Sequence, residues 1–159
     1  MHRFVSTYMA RLDAKGRISV PAAWRALLAR DGLEHLYCHP ALGCPALDAG
    51  GRELMAGIDR LVERHPPYSD QREELAAALY GGIEMLKLDP EGRVVLGEAL
   101  KAHAAIRDEV ALVGLGSSFR IWEPARFRAY LAEATAKVRA LQQALGDQGA
   151  TRVFREKEA

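Results

Sequence analysis

The segment LDAKGRISVP at residues 12–21 returns as LDPEGRVVLG at residues 88–97. Leu12 and Leu88, Asp13 and Asp89, Gly16 and Gly92, and Arg17 and Arg93 are each 76 positions apart. A repeat at constant offset means one structural unit written twice, and it constrains the fold more than local propensity does. Each unit spans about 45 residues, too few to bury enough surface for comfortable stability alone. The two copies are therefore expected to pack face to face as an internal pseudo-dimer with a shared core.

Around each motif the same elements recur. Tyr8 to Leu12 and Ile18 to Val20 are strand-like, and Asp13-Ala14-Lys15-Gly16 between them has turn chemistry, which predicts a β-hairpin. Pro21 suits the first position of a helix running to a C-cap at Gly32, and short strands follow at Leu33 to His39 and Cys44 to Asp48. In the second copy, Ile83 to Leu88 and Arg93 to Leu96 flank Asp89-Pro90-Glu91-Gly92. A helix over GEALKAHAAI and a hairpin around Gly116-Ser117-Ser118 complete it. Two helices join the copies, the first ending at Pro66-Pro67 and the second N-capped by Ser69 and stopping at Gly81-Gly82.

These readings predict an α+β chain with a first unit at 5–50, a helical linker at 51–81, a second unit at 82–125 and a C-terminal helix at 126–146. A polar tail, 147–159, is expected to be frayed and disordered. Phe127, Tyr130, Leu131, Ala134 and Val138 form an apolar stripe on the last helix, assigned to the core.

Net charge is only +1, so the whole molecule shows no bias toward a polyanion. Its distribution does. Residues 6–30 carry Arg11, Lys15, Arg17, Arg25 and Arg30 against Asp13, a balance of +4. Residues 82–106 carry Lys87, Arg93 and Lys101 against Glu84, Asp89, Glu91 and Glu98, a balance of −1. Equivalent scaffolds thus carry opposite local fields, and the first copy is the one suited to phosphate.

The residues Asp13-Ala14-Lys15-Gly16-Arg17-Ile18-Ser19-Val20-Pro21 with Arg25, and Asp89-Pro90-Glu91-Gly92-Arg93-Val94-Val95-Leu96 with Lys101 and His103, carry a family resemblance. A third block runs from Leu112 to Gly116 and from Phe119 to Glu123. Over residues 5–135 the chain resembles the MraZ family of bacterial transcriptional regulators, built from two AbrB-like swapped-hairpin domains. The resemblance implies a homo-oligomeric, ring-forming repressor of the division and cell-wall gene cluster. Such a protein binds short G-rich direct repeats in double-stranded DNA upstream of its own operon. It also implies DNA contact by Arg17, with Arg93 as the second-copy equivalent. Where the family's second copy usually carries proline, one position later than in the first, this chain has Glu98 after Gly97.

Side-chain chemistry agrees. A guanidinium beside a turn can meet guanine O6 and N7 with two parallel hydrogen bonds. Lys15, Arg11 and Arg25 are cast as phosphate contacts, as is Arg3 on an N-terminal segment expected to be mobile. Asp13 and Gly16, like Asp89 and Gly92, shape the turns, and Pro21 fixes the helix start. Glu91 and Glu98 assign the second copy to packing or subunit contact.

Rival chemistries are weaker. Cys38, His39 and Cys44, with His35 nearby, offer metal-ligand types, but C-H-x-x-x-x-C matches no standard zinc knuckle. Ser117-Ser118 lacks the setting of a nucleophile or a phosphate loop, and His103 is read as a packed core histidine. No cofactor, metal or catalysis is expected. No membrane partner is expected either, since no apolar run nears the roughly 20 residues of a span and no signal-peptide pattern is present. The expected location is the cytoplasm, at the nucleoid. The remaining alternative is an AbrB-like interaction or antitoxin-type module without a dedicated operator.

Overall fold

A computed structural model describes the backbone of residues 3–158 and the side chains of residues 3–147. The first copy contains β1 (Thr7–Arg11), β2 (Arg17–Ser19), α1 (Ala22–Arg30), β3 (His35–Pro40) and β4 (Leu47–Gly50). Two linking helices follow, α2 (Arg52–Glu63) and α3 (Asp70–Leu79). The second copy contains β5 (Glu84–Lys87), β6 (Arg93–Val95), α4 (Glu98–Ala104), β7 (Glu109–Gly114) and β8 (Phe119–Trp122), and α5 (Pro124–Glu158) ends the chain. The fold is α+β with antiparallel sheets. The expected tail falls, beyond Asp147, on residues whose side chains lie outside the described residues.

Local chemistry sets several boundaries. Ser69 caps α3, its hydroxyl accepting the Arg72 amide at 3.2 Å. At the end of α1, Gly32 takes φ +74° and donates to Ala29 O, while the Leu33 amide reaches Leu28 O. Glycine closes a helix this way without strain, whereas Ala105 closes α4 with the same pattern at φ +54° despite its Cβ.

The two predicted motif hairpins differ from expectation. Asp13 N does donate to Arg17 O, but β1 and β2 then part. β1 pairs with β7 and β2 with β6, while β3 pairs with β5 and β4 with β8. All four of these ladders join one copy to the other; only β3–β4 and β7–β8 are hairpins within a copy. The six-stranded sheet has the order β1-β7-β8-β4-β3-β5, and exchanging each strand for its repeat equivalent reverses that order. The physical cause is size. A three-residue strand such as β2 buries little against its own neighbour, whereas pairing with β6 aligns Ile18 with Val94 and buries both.

Both copies build one core. Trp24 of α1, only 1% exposed, meets Phe119 of β8 with ring centroids 4.6 Å apart and Phe4 at 5.6 Å in a T-shaped arrangement. Its indole N–H donates to Val5 O at 3.2 Å. The N-terminal segment bearing Arg3 is therefore held, contrary to expectation. Phe4 is buried and exchanges backbone hydrogen bonds with Gly116 at 2.8 Å in both directions. A smaller cluster of Ile58, Val62 and Leu79 joins α2 to α3.

Two further expectations are corrected. His103 is exposed, because Leu100 and Ala104 occupy the buried face of α4. On α5, Tyr130, Leu131 and Val138 of the expected core stripe are exposed, since periodicity marks an apolar face without making it a core. Among the described residues no helix is long and apolar enough to cross a membrane.

Candidate nucleic-acid interface

The D-x-x-G-R motif is a closed hydrogen-bonding unit. Asp13 Oδ1 accepts the amides of Lys15 and Arg17, both at 2.9 Å, and Oδ2 accepts Arg17 Nε at 2.6 Å. Gly16 donates to Asp13 O and holds φ +76°, where a Cβ would be strained. The second turn repeats each contact. Asp89 Oδ1 accepts Glu91 N at 2.9 Å and Arg93 N at 2.8 Å, Oδ2 accepts Arg93 Nε at 2.9 Å, and Gly92 holds φ +78°. Aspartate is required because one carboxylate must cap two amides and orient a guanidinium. The Arg17 and Arg93 amides are the foremost cause holding the Asp13 and Asp89 carboxyls below their ordinary range, and the arginine side chains add to it.

β2 and β6 bring the two turns together. Leu96 N donates to Gly16 O and Val20 N to Gly92 O, so each turn is tied to the other copy's strand. In the register, Arg17 faces Val95, Ile18 faces Val94 and Ser19 faces Arg93. Ile18 and Val94 point into the core, so Arg17, Ser19, Arg93 and Val95 share the outer face of a two-stranded ribbon.

Cations from the helices cross between copies. Arg25 of α1 donates through Nε to Val20 O at 3.1 Å, and its side chain fills the space a Cβ on Gly92 would need. Lys101 of α4, the repeat equivalent of Arg25, lies with Nζ 3.8 Å from where a Gly16 Cβ would stand. By sequence alone Arg25 belongs to the basic face of its own copy. Its reach to the opposite turn is visible only after the strands have paired.

The two arginines differ in what occupies them. Asp13 takes Arg17 through Nε, and among the described residues no second carboxylate pairs with Arg17. Arg93 gives Nε to Asp89 and Nη2 to Glu91 Oε2 at 3.0 Å, and its Nη1 lies 4.0 Å from Asp13 Oδ2. The hydrogen bond to Asp89, followed by the charges of Asp89, Glu91 and Asp13, raises the Arg93 pKa. Lys101 is paired with the exposed Glu98 at 2.8 Å.

Not every candidate residue gathers here. Lys15 sits in the first turn and Pro21 precedes α1. Arg11 lies on β1 in the larger sheet and is paired with its cross-strand neighbour Glu109 at 3.0 Å. Arg3 lies at the other end of β1, beside Gly116. Ser19, Val95 and Lys101 join the site only in the structure; in the sequence the first two are marked by nothing but their alternation with buried neighbours.

The rival sites have poor chemistry. Cys38 and His39 are consecutive on β3, so their side chains leave opposite faces. Burial pushes the Cys38 thiol pKa far up, the reverse of what a thiolate ligand needs. Among the described residues no group of three or more His, Cys, Asp or Glu side chains is placed to hold a metal. Ser117 and Ser118 form the tip of the β7–β8 hairpin, where Leu115 N donates to Ser118 O.

Residues 79–147 match the family described as "MraZ protein, putative antitoxin-like". A protein of Xanthobacter autotrophicus is 66% identical over 146 residues, covering 92% of this chain and 93% of its own. One from Azorhizobium caulinodans is 67% identical, with the same coverage. One from Rhizobium meliloti is 38% identical over 134 residues, covering 84% of this chain and 92% of its own. All three bear the name transcriptional regulator MraZ.

Proposed function

The chain belongs to the MraZ family, and from that premise we propose that it is a transcriptional regulator that binds double-stranded DNA through the β2–β6 ribbon. Arg17 reads guanine, and Lys15, Arg25 and Lys101 supply phosphate contacts around it. Arg11 and Arg3 are peripheral. The scaffold is a pair of AbrB-like swapped-hairpin units, 5–50 and 82–125, packed as a pseudo-dimer. The target is a set of short G-rich direct repeats upstream of its own operon, in the division and cell-wall cluster, and the effect is repression. The protein works without cofactor or catalysis, in the cytoplasm at the nucleoid, as a homo-oligomer.

The observation that carries this reading is the different occupancy of Arg17 and Arg93. Arg17 is oriented by Asp13 through Nε alone, leaving its end-on fork for an acceptor pair. Arg93 is held by carboxylates at Nε and Nη2. This supports a division between a reading copy and a largely neutralised one. Multivalency supplies what a chain of net charge +1 lacks in field strength. Once one subunit is docked, each further repeat is met intramolecularly.

The test is binding of wild type, Arg17→Ala and Arg93→Ala to the DNA upstream of the gene at two salt concentrations. Arg17→Ala is expected to lower affinity about 10- to 100-fold, the scale of one bidentate arginine–guanine contact. Arg93→Ala is expected to do much less; equal losses would remove the division of labour. The alternative, an interaction or antitoxin-type module, draws support from the wording of the family description and from the near-neutral charge. Absence of binding by wild type at both salt concentrations would favour it.

A further inference from the structure

The ribbon's four outward side chains are two pseudo-equivalent pairs, and only one pair is chemically matched. Arg17 and Arg93 are 76 positions apart and alike; Ser19 and Val95, also 76 apart, are a small hydroxyl and a branched hydrocarbon. Val95 is 51% exposed although it sits on a paired strand, directly opposite Arg17 and two residues from Arg93. Its neighbour Val94, 1% exposed, already supplies the core contact at this level. Packing therefore gives no account of a large apolar group at 95.

We infer that Val95 is a base-reading residue that meets the 5-methyl group of a thymine in the major groove, with Ser19 hydrogen-bonding a base edge on the other strand of the ribbon. This rests on the DNA-binding reading above and makes it directional. A two-stranded ribbon fits the major groove, which is about 12 Å wide, and the thymine methyl is the one apolar feature a base pair shows there. Arg17 and Lys101 are each matched by one carboxylate, Asp13 and Glu98, while Lys15 in the first turn and Arg25 beside Gly92 have no carboxylate partner among the described residues. The first-copy edge of this face therefore keeps the positive charge that suits DNA and not an apolar partner.

Register fixes where the thymine lies. Val95 is directly opposite Arg17, and cross-strand neighbours place their Cβ atoms about 5 Å apart. Base pairs rise about 3.4 Å per step. The thymine read by Val95 is thus within about two base pairs of the guanine read by Arg17. Because Ser19 stands where symmetry would call for a second Val95, the ribbon distinguishes the two directions along the duplex. A directional head suits direct repeats and not a palindrome.

The test uses the fragment upstream of the gene amplified either with thymidine or with deoxyuridine nucleotides, so that every thymine loses only its methyl group. Wild type, Val95→Ala and Arg17→Ala are titrated against both, with a thermal midpoint for each protein to confirm folding. Wild type is expected to bind the uracil fragment about fourfold more weakly for each methyl contacted, the worth of one buried methyl group. Val95→Ala is expected to bind both fragments alike while still depending on Arg17. Equal wild-type affinity for both fragments, or a methyl preference that survives in Val95→Ala, would overturn the inference and leave the DNA-binding reading standing. No wild-type binding to either fragment would overturn both.

Discussion

Asp13 holds Arg17 Nε at 2.6 Å and stands 4.0 Å from Arg93 Nη1, so one carboxylate of the first copy lies between the arginines of both. The two motifs are therefore a single electrostatic unit. A charge change at one turn is felt at the other.

Glu91 is 71% exposed and pairs with Arg93. Replacing it by glutamine removes a negative charge from the ribbon's edge and frees an arginine amine. Glu91→Gln is expected to bind upstream DNA about two- to fivefold more tightly at low salt, with the slope of log affinity against log salt steeper by up to about one. Fluorescence anisotropy at three or more salt concentrations reads both quantities. An unchanged slope would mean that Arg93 stays away from phosphate even when released.

Asp13 and Asp89 have carboxyl pKa values lowered in the folded chain, chiefly by the amides they accept. The sign follows directly. Protons bind more weakly to the folded state, so the stability these groups contribute is complete above the ordinary aspartate value of about 3.9 and is lost as pH falls through the lower folded values. Urea midpoints between pH 5 and pH 2.5 should fall for wild type more steeply than for the Asp13→Asn/Asp89→Asn variant. Parallel curves would show that the two turns do not set the acid limit.

Gly16 and Gly92 separate backbone strain from crowding. Both have positive φ, but a Cβ at 16 meets nothing nearer than Leu96 O at 3.6 Å, whereas at 92 it collides with the Arg25 side chain. Gly16→Ala should cost about 1–2 kcal/mol, the left-handed penalty for a residue with a Cβ. Gly92→Ala should cost more and should also weaken DNA binding by displacing Arg25. Adding Arg25→Ala to Gly92→Ala should bring the stability loss back toward that of Gly16→Ala, measured by chemical denaturation.

Trp24 touches aromatic rings from the N-terminal segment, β1 and β8, including Tyr8 at 5.2 Å. Truncating it opens the shared core of the two copies. Trp24→Ala is expected to lower unfolding free energy by about 3–5 kcal/mol. A single cooperative transition should persist, because neither copy holds a core without the other. Two separate transitions would contradict the shared core.

Repeat number provides the last check. Duplexes carrying one, two or three copies of the G-rich repeat, titrated at one protein concentration series, should show affinity rising steeply with repeat number, by about 100-fold or more for a second engaged repeat. Equal affinity for one and three repeats would exclude binding by several subunits at once. Light scattering of the free protein reports the subunit number on which the effect depends.

The repeat and its offset, the two D-x-x-G-R turns, the Ser69 cap and the Gly32 helix end were legible in the sequence. Each is decided by residues close together in the chain: an aspartate that reaches amides two and four positions on, and a glycine that takes positive φ without strain. The family followed from the same residues. Tertiary structure alone decided which strands pair. Strands of three residues have no stability of their own, so their partners are set by a core that must draw on both copies. From that exchange come the reach of Arg25 across to Gly92 and the burial of Ile18 against Val94 that turns Val95 outward. The exposure of His103 was likewise unreadable, because a pattern of apolar spacing marks a face but cannot say whether another surface meets it.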